Sequence, residues 1–280
     1  MSVGPVKDED GLPLSDVGPW VHDKHTRLRR YIDISSSVRA KFIGPGKAGA
    51  TYIDLYCGPG RSRERTTGKL VDGSAIVAAL AAEESGQPFS EIHLGDTDGA
   101  AVRASAARLH ARGVKSPIYE YIGRAENTVT KVKERLNPFG LHVAFLDPFG
   151  LADLPFAVIH ALGGLRRPDL LVHVSAMDLQ RNLRKAIAAK GGHAFDTFAP
   201  GWRETVDMRQ PQHAIRRGIL NHWMVVVRAD KLHVFGEQLE LVSGPRNQRL
   251  YWLAFAAKHE RASEFWEKIR HINPQGDLPL

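Results

Sequence analysis

Residues 52–60, Tyr-Ile-Asp-Leu-Tyr-Cys-Gly-Pro-Gly, constrain this chain more than any other stretch. An apolar, β-rich run passes through a carboxylate, Asp54, and ends in a turn that holds Gly58 and Gly60. Without Cβ atoms, those two positions let the backbone turn sharply and approach a ligand closely. Placed after a buried strand, such a turn forms one wall of a nucleotide pocket at the carboxyl edge of a parallel sheet. A lone Gly-x-Gly turn also suits an ordinary tight loop, so the residues around it must decide.

Five runs read as buried strands: Thr51–Tyr56, Glu91–Gly95, Ile118–Ile122, His142–Leu146 and Leu170–Ser175. They are apolar throughout, as central parallel strands covered on both faces should be. Helical stretches alternate with them, starting near Ser74 (read as an N-cap), running from Gly99 to Arg112, ending near Leu136, and spanning Leu154 to Leu162. This alternation predicts an α/β fold: a Rossmann-like, mostly parallel sheet with an antiparallel edge strand and helices on both faces. Residues 1–19 read as a flexible arm and 20–280 as one domain. From Trp20 to Phe42, Leu28, Tyr31, Ile32, Ile34, Val38 and Phe42 recur at helical spacing. The polar face of that helix, with Lys24, His25, Arg27, Arg29 and Arg30, reads as solvated charge, with a binding role as the alternative. Gln238–Val242 and Leu250–Ala257, joined by a turn at Gly244–Asn247, read as an antiparallel pair at the sheet edge. Arg261–His271 reads as a final amphipathic helix.

Between Gly60 and the next helix lies a basic stretch, Arg61–Lys69, that a simple dinucleotide motif lacks. It is either a surface excursion or a lid that brings Arg61 and Arg63 to a phosphate. Asp96 follows the second strand, where a carboxylate can accept both hydroxyls of a ribose. Asp96 and Asp98 could alternatively cap the helix behind them. Asp147 follows the fourth strand. A parallel sheet gathers its carboxyl ends at one edge, so Asp54, Asp96 and Asp147 should share one crevice. The third glycine of a dinucleotide motif is missing, and no Gly-Lys-Ser/Thr follows the turn. A nucleoside without phosphates fits better, and S-adenosylmethionine is a ligand of that kind.

The net charge of +7 and the pI near 9.6 favour acidic partners such as nucleic acid. A helical insertion at about 178–230 gathers Arg181, Arg184, Lys185, Lys190, Arg203, Arg209, Arg216 and Arg217 around Phe195, Phe198, Trp202 and Trp223. Either the cations meet phosphates while the rings stack on bases, or the rings are core and the charges are solvated. Cys57 is the only cysteine, which excludes an intramolecular disulfide and a thiolate zinc site; no metal is expected. A reducing, cytoplasmic setting fits that usage. The longest apolar run, Ala75–Ala82, is too short to cross a membrane.

At this point the chain resembles the class I S-adenosylmethionine-dependent methyltransferases. Asp54-Leu55-Tyr56-Cys57-Gly58-Pro59-Gly60 looks like their first motif, Asp-x-Phe-x-Gly-x-Gly. More closely, the chain resembles the three-Cys-motif partner family, TcmP. That resemblance runs from Trp20 to Ile269 and rests on residues 52–61, Asp72-Gly73-Ser74, Phe145–Gly150, Leu250–His259 and Phe265–Ile269. It implies S-adenosylmethionine held by Asp54, Tyr56, Gly58, Pro59, Gly60, Asp96, Arg124 and Ala125. Asp147-Pro148-Phe149 resembles the Asp-Pro-Pro-Tyr motif of enzymes that methylate exocyclic amines of bases, and carries the catalytic role by that likeness. There the acid accepts a hydrogen bond from the amine and the aromatic stacks on the extruded base. Arg61, Arg63, Arg181 and Arg184 would then meet a nucleic-acid substrate. The family name implies a partner with three cysteines, resembling a radical-type iron–sulfur protein. The alternative is an accessory subunit that keeps the fold and works through that partner.

Overall fold

The computed structural model describes residues 7–234, 239–243 and 249–270. The chain opens with β1 (Ser15–Val17), α1 (Val21–Ile34) and α2 (Ser36–Arg39). There follow β2 (Ala50–Asp54), β3 (Arg61–Glu64), β4 (Leu70–Asp72), α3 (Ser74–Glu84), β5 (Glu91–Asp96) and α4 (Gly99–Ala111). Next come β6 (Ile118–Ile122), α5 (Ala125–Arg135), β7 (Leu141–Leu146), α6 (Phe156–Gly163) and β8 (Pro168–Ser175). Four helices follow: α7 (Ala176–Ala188), α8 (Ala194–Phe198), α9 (Trp202–Thr205) and α10 (Gln212–Ala229). The described chain closes with β9 (Glu240–Ser243), β10 (Arg249–Ala257) and α11 (Glu260–Arg270).

The main sheet has seven strands in the order β6-β5-β2-β7-β8-β10-β9. The first five are parallel, and β10 runs antiparallel to both β8 and β9. The late antiparallel pair therefore sits at the sheet edge as expected, but the antiparallel strand β10 is one place in and β9 is the edge. Gln238, the turn at Gly244–Asn247 and His271 lie outside the described residues.

Alternation along the strands divides the core into two layers. Ile53, Ala144, Leu146, Val172 and Val174 face α5 to α10. Tyr52, Val143, Phe145, Leu171 and Phe255 face α1, α3, α4 and α11. Phe195, Phe198, Trp202 and Trp223 belong to the first layer, and each is fully buried. The stacking alternative for these rings is thereby excluded: 178–230 is a helical layer on the sheet, not an exposed aromatic surface. Among the described residues, no helix is long and apolar enough to cross a membrane.

Three local expectations need correction. The helix expected over 20–42 breaks at Ser35, whose hydroxyl donates to Tyr31 O at 2.7 Å and competes with the helical ladder. The basic stretch after Gly60 is not a loop. It forms β3 and β4, which pair antiparallel, and β3 also pairs in parallel with β1. The arm is tied down over residues 7–17. Arg108, buried on α4, donates to both oxygens of Asp10 at 2.8 and 2.9 Å. It also donates to Pro13 O at 2.9 Å and to Pro59 O at 2.7 Å, inside the glycine turn. Arg61 donates to Asp8 at 2.7 Å. A guanidinium with five fixed donors suits such a multiple clamp.

Arg108→Ala would strand the Asp10 carboxylate and two backbone acceptors. It should cost about 2–4 kcal/mol in urea unfolding and expose residues 7–17 to limited proteolysis before the rest of the chain.

Candidate functional site

The carboxyl ends of β2, β5, β7 and β8 meet at one edge, as the registers Asp54↔Leu94, Asp54↔Phe145 and Leu146↔Val172 require. The turn at residues 57–60 leaves β2 there. Gly58 and Gly60 have φ of 54° and 78°, the left-handed region that glycine enters at little cost. A Cβ on Gly60 would lie 2.9 Å from the Ser105 backbone on α4. The Gly60 carbonyl accepts from Gly73 N at 2.8 Å, which brings the start of α3 against the turn.

Asp54 stands beneath this turn and is fully buried. It accepts from the Ser74 hydroxyl at 2.6 Å and from the Tyr56 amide at 3.1 Å. Burial pushes its pKa up to about 7, against the pull of those two bonds. Asp54 does not line the cavity above the turn, unlike Asp96 and Asp147, with which the sequence placed it in one crevice. Ser74 also departs from expectation: Gly73 takes the N-cap position of α3, and the Ser74 side chain is committed to Asp54.

Above the turn lies a cavity of about 710 Å³, within the range of roughly 300–1,000 Å³ for small-molecule sites. Tyr56, Cys57, Gly58, Pro59 and Gly60 form one wall. Asp96 lines it and accepts from the Gly58 amide at 3.1 Å and the Asp98 amide at 3.0 Å. Asp98, not Asp96, caps α4, through Ala100 N at 2.8 Å. Arg124 and Ala125 also line the cavity at the start of α5. Arg124 is paired with Glu126 Oε1 at 2.6 Å. The other Glu126 oxygen is buried without a hydrogen-bond partner in a residue that lines the cavity. Glu126 closes the stretch 124–126 that the methyltransferase resemblance puts at the adenine of the cofactor.

The far side of the cavity holds Asp147, Pro148 and Phe149 together. Phe149 is 98% exposed, an unusual position for a large ring. Lys24 of α1 donates to Asp147 Oδ2 at 2.5 Å, and His173 of β8 places Nδ1 3.4 Å from Oδ1. Burial pushes the Asp147 carboxyl up, but Lys24 foremost and the two nearby histidines outweigh it and hold the acid below its ordinary value. Burial, reinforced by the Lys24 charge, pushes His25 and His173 down to about 4. The Tyr251 ring lies 4.5 Å from the His173 ring and 5.8 Å from Lys24 Nζ. Lys24 was expected in solvent and is buried. Its spacing carried the signal: Lys24, Leu28 and Tyr31 fall on one helical stripe.

The four expected substrate arginines do not converge. Arg61 is paired with Asp8, ahead of β1, and Arg63 with Asp16 of β1. Arg181 lines the cavity and Arg184 lies one turn further along α7, exposed. Cys57 is buried, and desolvation pushes its thiol well above the ordinary range.

No family model matches the chain. No curated protein matches it. Among solved structures, an O-methyltransferase from Bacillus cereus in complex with SAH superposes with a TM-score of 0.50. The identity is 11%, over 89% of this chain and 84% of that one. An rRNA methylase from Streptococcus thermophilus matches at 12% identity over 85% and 96%, with a TM-score of 0.38. The first likeness shows the fold alone, an α/β Rossmann-like sheet with helices on both faces; the second is too loose to carry an argument.

The buried Asp54 gives a pH test. Unfolded, it ionises near 3.9; folded, it keeps its proton up to about 7. Between those values the unfolded chain binds fewer protons, so this residue lowers stability as pH rises through the window. Asp54→Asn should therefore improve relative to the parent between about pH 4 and pH 7 in urea unfolding. A difference that is flat across the window would contradict the assignment.

Proposed function

We propose that the protein is an S-adenosylmethionine-dependent methyltransferase acting on nucleic acid. One observation carries this reading. The glycine turn, Asp96 and Asp147 surround a single cavity at the carboxyl edge of the sheet. The residues fit the cofactor. A Cβ-free turn can pass beneath its methionine part, and the Asp96 carboxylate offers two acceptors that suit the ribose diol. The buried, unpartnered Glu126 oxygen is an acceptor suited to the adenine amine. Asp54 acts beneath them by fixing the turn. Bound S-adenosylmethionine would supply a methyl group on a positively charged sulfur. The chain's own contribution is to orient that methyl toward Asp147 and exclude water.

Support for a polyanionic acceptor comes from charge. Arg65 and Arg181 line the cavity, and Arg184 and Lys185 extend it along the exposed side of α7. Among the described residues, Arg181, Arg184 and Lys185 have no carboxylate partner. The fully exposed Phe149 offers a ring at the mouth on which a base can stack. The sequence expectation of an exocyclic amine at Asp147 requires an acid with room to accept, and Lys24 occupies Oδ2. A three-cysteine partner, implied by the TcmP resemblance, would act from outside this site.

Calorimetry with S-adenosylhomocysteine tests the cofactor. Binding is expected, with Asp96→Ala weakening it by about tenfold or more. No heat at millimolar ligand would contradict the reading. Arg181→Ala with Arg184→Ala should lower the slope of log affinity against log salt for an RNA duplex by about 2. An unchanged slope would remove α7 from the nucleic-acid surface.

A further inference from the structure

The floor of the cavity brings together four side chains from four elements: Lys24 of α1, Asp147 after β7, His173 of β8 and Tyr251 of β10. Their polar atoms are placed unevenly. Lys24 Nζ gives one of its three donors to Asp147 Oδ2. His173 Nδ1 faces Asp147 Oδ1 at 3.4 Å and is buried without a hydrogen bond. The Tyr251 hydroxyl is turned away to Asp23 at 3.0 Å. The floor therefore offers a cation with donors to spare, a carboxylate already engaged by it, and an imidazole kept neutral in the working pH range.

An exocyclic amine matches this floor poorly. Its two N–H groups need acceptors, and its lone pair must point at the methyl donor. The spare donors of Lys24 would then face a group with nothing left to accept them. A hydroxyl matches on both counts, because its oxygen accepts from Lys24 while its proton is given to an imidazole.

Resting on the proposed methyl transfer, we infer that the acceptor is a hydroxyl oxygen, with His173 as its general base, Lys24 stabilising the oxygen, and Asp147 as the positioning residue that orients both. With Nδ1 turned to Asp147, Nε2 is the nitrogen left for the acceptor. The acceptor's O–H bond breaks and its proton passes to His173. The freed oxygen electron pair forms the new bond to the methyl carbon, and the carbon–sulfur bond of the sulfonium donor breaks with its pair returning to sulfur. The imidazolium is held by Asp147 and later releases its proton to water. Lys24 keeps its charge throughout and faces the oxygen as negative charge develops on it. Within a nucleic-acid strand the groups that meet this requirement are ribose 2′-hydroxyls, so RNA is the substrate class and DNA of the same sequence is not.

Two measurements on the full chain test this. In the first, matched RNA and DNA oligonucleotides are incubated with methyl-labelled S-adenosylmethionine, and the nucleosides are digested and separated. Label on a ribose 2′-hydroxyl of RNA alone is expected, with His173→Gln and Lys24→Met each lowering kcat by about 100-fold or more. Label on a base nitrogen, or equal labelling of DNA, overturns the hydroxyl assignment and leaves the methyltransferase reading intact. Absence of cofactor binding defeats that reading itself. The second measurement needs neither cofactor nor acceptor. The groups facing His173 are Asp147, Lys24 and the Tyr251 ring, with His25 beside Lys24. The His173 titration, followed by NMR, should move up in Lys24→Met and down in Asp147→Asn. A titration that neither variant moves shows that the three groups do not act as a unit, and overturns the inference.

Discussion

The site depends on a close backbone approach between the turn after β2 and the start of α3. The Gly60 carbonyl bonds Gly73 N, and a Cβ on Gly73 would lie 2.9 Å from Gly60 Cα. Glycine on both sides makes that contact sterically open. Asp54 locks it from below through Ser74 and the Tyr56 amide. Arg108 locks it from the side by holding Pro59 O together with the N-terminal segment. The wall of the cavity is thus fixed by protein contacts before any ligand arrives, which lowers the ordering cost of binding.

Electrostatics divide the cavity into two ends. At the Asp96 end, a carboxylate braced by backbone amides and a buried Glu126 oxygen present acceptors. At the Asp147 end, Lys24 satisfies the carboxylate, and His25 and His173 carry no charge at neutral pH because burial and Lys24 depress both. A charge pair and neutral imidazoles in a shielded pocket interact more strongly than they would in water. The exposed side of α7, with Arg181, Arg184 and Lys185, continues from this cavity.

Much of the architecture was legible from periodicity. β6 matches its expected bounds, and β5, β7 and β8 differ from theirs by one or two residues. Buried parallel strands read as continuous apolar runs, a strong local signal. Asp54, Asp96 and Asp147 were placed at one edge by topology alone. Contacts distant in sequence were harder to read. Nothing local announces that Arg61 and Arg63 answer Asp8 and Asp16, so a pinned three-stranded sheet looked like a basic loop and a loose arm. Lys24 was hidden by its charge, although it shares a stripe with Leu28 and Tyr31. His173 sat inside an apolar strand with no partner nearby in sequence. Glu126 needed the fold to show that one of its oxygens is buried and unanswered.

The functional reading stands or falls with one cavity that holds the cofactor between the glycine turn and the Asp147 floor. A crystal soaked with S-adenosylhomocysteine tests it most directly. The amino-acid tail is expected over Gly58–Gly60, the ribose hydroxyls at Asp96, and the thioether sulfur facing Asp147 and Lys24. A cavity that stays empty at saturating ligand, or a ligand bound away from the turn and Asp96, would contradict it.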